Sequence, residues 1–206
     1  MAAVASRRPP EGEGMVLPRW LKIGLVLGAF SAPVWAHRPV SAAKQAHRLV
    51  LYRALRDAAG ITEGHGRRVV YDLFDPNCPY CHILYEHLQG LIKPYHLTVH
   101  EIPVAYLTPS SEGKAAALLE APDRRAALRA AQSHYSWKTG SSIAPRRPSA
   151  AVRKELAYNL KLDTRIVGFP LVPILVYQKT DGTIRIVNSG APPVWALKQM
   201  LAGIKQ

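Results

Sequence analysis

The sequence predicts an α/β domain, a mixed β-sheet flanked by helices with a helical insertion after the second strand. Three observations predict it. The apolar spacing alternates between helical and strand-like along the chain, in the order helix, strand, helix, strand, helices, strand, strand, helix. An early strand–helix–strand unit and a late hairpin with a closing helix build one sheet covered on both faces. Apolar residues make up 48% of the 206 residues, ordinary for a globular chain, and aromatic and β-branched residues are spread through the second half.

Each element has a local reason. Residues 41–59 read as a helix, with Val50, Ala54 and Ala58 at i, i+4 and i+8, Leu51 and Leu55 beside them, and Gly60 as the stop. The stretch GITEGHGRR (60–68) reads as a loop, and VVYDLF (69–74) as a buried strand. CPYCHILYEHLQG (78–90) switches to helical spacing, with Ile83, Leu84, His87 and Leu88 on one side and Gly90 as terminator. HLTVHEIPV (96–104) alternates, as a second strand does. Residues 112–135, rich in Ala, Leu and Arg, read as two helices broken near APD; a loop follows, then a helix over AAVRKELAYNLKL (150–162). PILVYQKTDGTIRIVNSG (173–190) is a hairpin turning at Asp181-Gly182, and a helix closes the chain from about Pro193 to Ile204.

Before this domain, Arg19 and Lys22 precede an uncharged run from Ile23 to Trp35 and then Ala36. That is the plan of a secretory signal: positive end, short apolar run, small residue at the cut. The run falls short of the roughly 20 residues that span a bilayer comfortably, and an uncleaved anchor is the competing assignment. The expected division is a signal peptide over 1–36, a helix and linker over 37–66, and the main domain over 67–206, with the helical insertion at about 110–165. Met15 competes with Met1 as the start of the signal. With either assignment the domain faces an oxidising compartment, where disulfides persist.

The formal charge is +13, and Met1–Ala36 accounts for little of it, holding four basic and two acidic residues. The basic residues are scattered rather than striped, and no nucleic-acid motif accompanies them, so a basic solvated surface is the reading and no nucleic-acid partner is expected.

The only two cysteines, Cys78 and Cys81, stand in DPNCPYCH (75–82). Structural zinc wants four ligands, usually two such pairs, and there is no second pair. His82 and His87 are poorly placed to complete a set, because one adjoins Cys81 and the other lies on the apolar face of the helix; no metal and no cofactor are expected. The redox reading has its physical demands met. The attacking species is the thiolate, and a helix amino terminus supplies partial positive charge and free N–H groups to hold it. Pro79 suits the first helical position, which makes Cys78 the cap, exposed at the turn, with Cys81 one turn in and shielded. Cys78 forms the mixed disulfide with substrate and Cys81 resolves it, leaving a Cys78–Cys81 disulfide. Pro79 and Tyr80, between the cysteines, tune the potential and touch substrate.

The stretch VVYDLFDPNCPYCHILYEHL resembles the active-site strand and helix of the thioredoxin superfamily, and within it the bacterial periplasmic DsbC and DsbG proteins. The likeness rests on Asp75 three residues before Cys78, on the CPYC tetrad, on the insertion-like IPVAYLTPSSEGKAAALLEAPDRRAALRAAQSHY, and on the terminal hairpin and helix. The resemblance implies a thioredoxin-like fold, a thiol–disulfide oxidoreductase or isomerase activity, and a cis proline that docks substrate backbone before the third strand. Of Pro170 and Pro173, Pro173 fits, directly before the apolar strand and eight residues before Asp181, with Val172 preceding it as a substrate contact. Asp72, six residues before Cys78, stands where thioredoxin and the oxidase DsbA place a buried acid that exchanges a proton with the shielded cysteine. DsbC and DsbG put an apolar residue there and Thr before the cis proline. They also carry a sizeable dimerisation domain, whereas only about thirty residues (37–66) intervene here, so a monomer is expected. The implied partners are cysteine-containing exported proteins and a membrane or periplasmic redox partner that recycles the dithiol. The alternatives are a redox-independent periplasmic chaperone of the same fold, and a metal chaperone.

Overall fold

The computed structural model describes residues 41–206. The signal peptide or anchor expected over 1–36, and the first residues of the expected linker, lie outside the described residues. Among the described residues no helix is long and apolar enough to cross a membrane.

The first helix, α1 (Ala42–Ala54), is capped by Ser41, whose Oγ accepts the Lys44 N–H at 3.3 Å. A 3-10 turn, Leu55–Asp57, ends it. The buried stripe is Leu51, Tyr52 and Leu55, while Val50 is 64% exposed, so the expected Val50–Ala54–Ala58 face is displaced by about one position. The larger side chains beside the alanine row decide which way the helix rolls, because they remove more apolar surface from water.

Residues 61–64 are not loop. Ile61–Gly64 forms β1, antiparallel to β3 (Leu97–Pro103), with Ile61 opposite Glu101 and Gly64 opposite Thr98. Two glycines and a glutamate hid this edge strand, whose inward residues are Ile61 and Glu63. Next come β2 (Arg68–Phe74) and, after a tight turn, α2 (Pro79–Tyr95). The expected stop at Gly90 does not occur. Gly90 faces open space and Leu91 is buried in the core, so packing carries the helix onward. Pro94, which cannot donate, falls opposite the solvent-exposed Gly90 turn, so the carbonyl it leaves free is not buried. His96, in the left-handed region at φ 51°, ends the helix.

Three helices lie between β3 and the next strand: α3 (Ser111–Leu119), α4 (Arg124–Ser133, capped by Asp123) and α5 (Ala150–Val167, capped by Ser149). The buried Asn159 of α5 donates to the carbonyls of Ala59 (2.8 Å) and Pro103 (2.9 Å), tying the helix to the ends of the sheet. The chain closes with β4 (Ile174–Gln178), β5 (Ile184–Val187) and α6 (Val194–Ala202).

The sheet order is β1-β3-β2-β4-β5; β2 and β3 run parallel and every other pair is antiparallel. Both faces are covered. Val70, Val99, Leu175 and Tyr177 pack with α2 and α6, while Tyr71, Leu73, Ile102 and Val176 pack with α1 and α5. A third cluster joins Phe74 and the two cysteines to Leu118 and Leu128 of the inserted helices. Midway along the central strands neither face meets solvent, so Asp72 and Glu101 there are buried.

Candidate active site

The turn from β2 into α2 sets the chemistry. Cys78 is the cap of α2, with extended backbone (φ −79°, ψ 118°) and Pro79 in the first turn, and its Sγ accepts the Cys81 N–H at 3.2 Å. Both cysteines are free thiols in this structure. The expected exposure of Cys78 is overturned: it is 4% exposed and Cys81 1%. Phe74, Leu118, Leu128, Ile143 and Val172 surround the pair, because the inserted helices fold over the turn.

The two sulfurs are driven apart electrostatically. The Cys81 thiol donating to Cys78, together with the N–H groups of Cys81 and Tyr80, holds Cys78 below the ordinary thiol range against the opposing effects of burial and Asp75. Burial pushes Cys81 well up, and its role as donor to Cys78 and the charges of Cys78 and Asp72 add to that. One thiol ionises readily and its neighbour keeps its proton.

A polar scaffold fixes the turn. The Asp75 carboxylate, 1% exposed, accepts from the Asn77 N–H (2.9 Å), the Ser111 hydroxyl (2.8 Å), and the N–H groups of Tyr106 (3.0 Å) and Leu107 (3.1 Å). Asn77 donates to Thr108 Oγ1 at 2.7 Å and receives the Lys114 ammonium at 2.8 Å. Lys114, 6% exposed, also donates to the carbonyls of Thr139 (2.6 Å) and Ser141 (2.7 Å). Gly140, at φ 77°, passes so close that a Cβ would collide with Asn77. The Tyr135 hydroxyl donates to the Asn77 carbonyl at 3.0 Å, and its ring stacks on His82 with centroids 4.2 Å apart. Around this turn Tyr80, Leu107 and Trp137 stand exposed.

Opposite the cysteines, the Val172–Pro173 peptide bond is cis, the one such bond among the described residues. Pro173 is buried and Val172 and Pro79 half-buried; Cys78 Sγ lies 4.0 Å from the Val172 carbonyl oxygen. The segment before it is held by buried Asp163 of α5, whose Oδ2 accepts the Leu171 N–H at 3.1 Å. Burial pushes the Asp163 carboxyl up to about 7.

Asp72 is not turned to solvent; it is fully buried. It pairs in register with Glu101 of β3, itself 1% exposed, and both point toward α2. One strand further, Glu63 of β1 is fully buried and bound by Arg129 of α4, with Nη2 to Oε2 at 2.9 Å. Burial pushes Asp72 up to about 7, and burial with the neighbouring carboxylates pushes Glu101 well up.

The structure thus gathers Cys78, Cys81, Pro79, Tyr80, Val172, Pro173 and Asp72 at one end of α2. Glu101, Asn77, Lys114, Tyr135 and Asp163 were not singled out from the sequence. Glu101 had a usable signal, an acid in the middle of a strand whose neighbours leave it no solvent face. Among the described residues no group of three or more His, Cys, Asp or Glu gathers as a metal site; His82 Nδ1 is taken by Gln132 (2.9 Å) and His87 Nδ1 by the Pro192 carbonyl (2.9 Å).

No family model matches the chain. It is 31% identical over 154 residues to the "Thiol:disulfide interchange protein DsbG" of Pseudomonas aeruginosa; the alignment takes in 73% of this chain and 58% of that protein, so the chain spans little over half of its relative. Two solved structures share the fold. A periplasmic thioredoxin-like protein from Salmonella enterica serovar Typhimurium has a TM-score of 0.59 at 21% identity, covering 74% of this chain and 94% of the other. Proteus mirabilis ScsC in a compact conformation has a TM-score of 0.58 at 21% identity, covering 73% and 75%.

Proposed function

We propose that the chain carries a DsbC/DsbG-like domain of the thioredoxin superfamily and is an exported protein thiol–disulfide oxidoreductase. The observation that carries the proposal is the sulfur of Cys78 seated as the helix cap, accepting the Cys81 N–H. A thiolate there is a nucleophile at neutral pH.

In the reducing direction the Cys78 thiolate attacks a substrate disulfide, forming a mixed disulfide and releasing one substrate thiolate. Cys81 gives its proton to Asp72 and attacks Cys78 Sγ. The Cys78–Cys81 bond forms, the bond to substrate breaks, and the second substrate thiolate leaves. Two electrons pass from the dithiol to the substrate, and the departing thiolates take protons from water. The oxidising direction reverses every step. Val172 and Pro173 dock the substrate backbone beside Cys78, while Pro79, Tyr80 and the exposed Leu107 and Trp137 receive its apolar side chains. Cysteine-containing exported proteins in the periplasm are the substrates, a membrane or periplasmic partner resets the dithiol, and the enzyme acts as a monomer.

Differential alkylation is expected to find one reversible Cys78–Cys81 disulfide, and Cys78→Ser to lose insulin reduction. Alkylation of Cys78 should persist below the pH at which a free thiol, of pKa about 8.5, loses reactivity. A wild-type protein inert as both oxidant and reductant overturns the proposal. Equilibration with glutathione sets the direction: near −120 mV marks a strong oxidant and near −270 mV a reductant, on the scale of known oxidoreductases.

A further inference from the structure

Cys81 is 1% exposed, so its proton has no direct route to water, and the acid assigned to receive it is buried as well. Asp72 does not stand alone. Its register partner on the parallel strand is Glu101, on the same face of the sheet. If both were carboxylates, two buried like charges would face each other, and among the described residues neither Asp72 oxygen nor Glu101 Oε1 has a donor. Two bare carboxylates in such a place repel and neither is solvated. If one is an acid and the other a carboxylate, each satisfies the other through a single shared proton.

We propose that Glu101 is a positioning residue for the proton traffic of Cys81: it keeps its proton and donates it as a hydrogen bond to Asp72, so that the pair, not Asp72 alone, exchanges a proton with the resolving thiol. The inference rests on the assignment of Cys81 as resolving thiol and adds a residue to it.

The groups around the pair allow only this division. From α2 come Cys81 and Tyr85. Tyr85 is pushed up by burial and then by the charges of Glu63 and Glu101, so it stays neutral. From the far strand comes Glu63, whose carboxylate oxygens already accept from Arg129 Nε and Nη2. On the other side β4 contributes Leu175, which is apolar and buried. Glu101 therefore lies between an acid already paired to a cation and an acid with no other donor. Burial and the charges of Asp72 and Glu63 make Glu101 hold its proton, while its hydrogen bond restrains the rise that burial imposes on Asp72. In the resolving step the Cys81 S–H proton moves to the Asp72 carboxylate. The sulfur bonds to Cys78, and the pair, now carrying two protons, returns one to water before the next cycle.

The test uses the reduced protein with a chromogenic aromatic disulfide in a stopped-flow instrument. The first released thiolate reports attack by Cys78, and the second reports resolution by Cys81. Glu101→Leu removes the donor, so Asp72 keeps its proton to higher pH. The midpoint of the second phase should move up by about one pH unit, and its rate at pH 7 should fall about tenfold. The first phase should keep its wild-type rate. Glu101→Gln, whose amide N–H replaces the acid donor, should restore the wild-type profile. A Glu101→Leu second phase that superposes on wild type, while Asp72→Asn moves it, overturns the role of Glu101 and leaves the thiol exchange standing. A second phase indifferent to Asp72→Asn as well overturns both assignments of proton transfer. Should Glu101→Leu fail to fold, carboxyl titration by NMR on the wild type decides: one of the two acids titrating near neutrality beneath a partner that keeps its proton supports the pair. Two independent titrations at ordinary carboxylate values overturn it.

Discussion

Asp72 and Asp75 stand three residues apart, both buried, one inside the sheet and one in the turn that presents the cysteines. Asp75 accepts four hydrogen bonds from two loops and a helix, whereas neither oxygen of Asp72 has a hydrogen-bond donor among the described residues. The difference separates two uses of a buried acid. One that is fully satisfied is a structural joint and resists losing its partners; one left unsatisfied is raised in proton affinity and available for exchange. The polar groups of the turn are closed in on themselves, whereas those of the sheet interior are left open, as the proposed proton exchange requires.

Substitutions should therefore act with opposite sign in the two regions. The largest effect is expected for Asp75→Ala, which strands four donors near the cysteines. Urea unfolding should show a loss of about 4 kcal/mol, and a loss no greater than an ordinary surface substitution would break the comparison. Asp72→Asn should instead stabilise. The folded carboxyl titrates at about 7 against 3.8 for an ordinary one. Between those values the folded chain holds a proton that the unfolded chain has lost, so stability falls as pH rises through the window and levels off above it. The substitution removes that loss, with an expected gain of about 4 kcal/mol at pH 8 that disappears below about pH 4. A gain that does not vary with pH would point to packing rather than charge.

Lys114→Met sharpens the contrast within the turn. It leaves Asn77 Oδ1 and the carbonyls of Thr139 and Ser141 without their cation, and thermal unfolding should register a loss of about 2 kcal/mol. The smallest effect is expected for Tyr135→Phe, which removes the one hydrogen bond to the Asn77 carbonyl while keeping the stack on His82. A loss of about 1 kcal/mol with unaltered thiol exchange would mark Tyr135 as part of the scaffold; a fall in exchange without loss of stability would move it into the reactive group.

Much of this was legible before folding. The CPYC tetrad, Pro79 at the helix start, the apolar run of β2 and the hairpin at Asp181-Gly182 are local signals, and each states its own conformation through φ restriction, capping or alternation. They locate Cys78, Cys81 and the segment at Val172-Pro173 without any contact being known. The errors share one cause. The local signals point to loop at β1, to a stop of α2 at Gly90, to a buried stripe through Val50 in α1 and to an exposed Cys78, and in each case a distant element outweighs the local preference.

What the sequence determined by itself is therefore the chemistry at the start of α2, since a thiol, a proline and a helix terminus are neighbours along the chain. Only the tertiary structure decided which acids are brought together beneath it. Asp72, Glu101 and Glu63 come from three strands, and their proton affinities depend on how completely water is excluded and which charge faces which, quantities that exist only once the sheet is assembled beneath the helix.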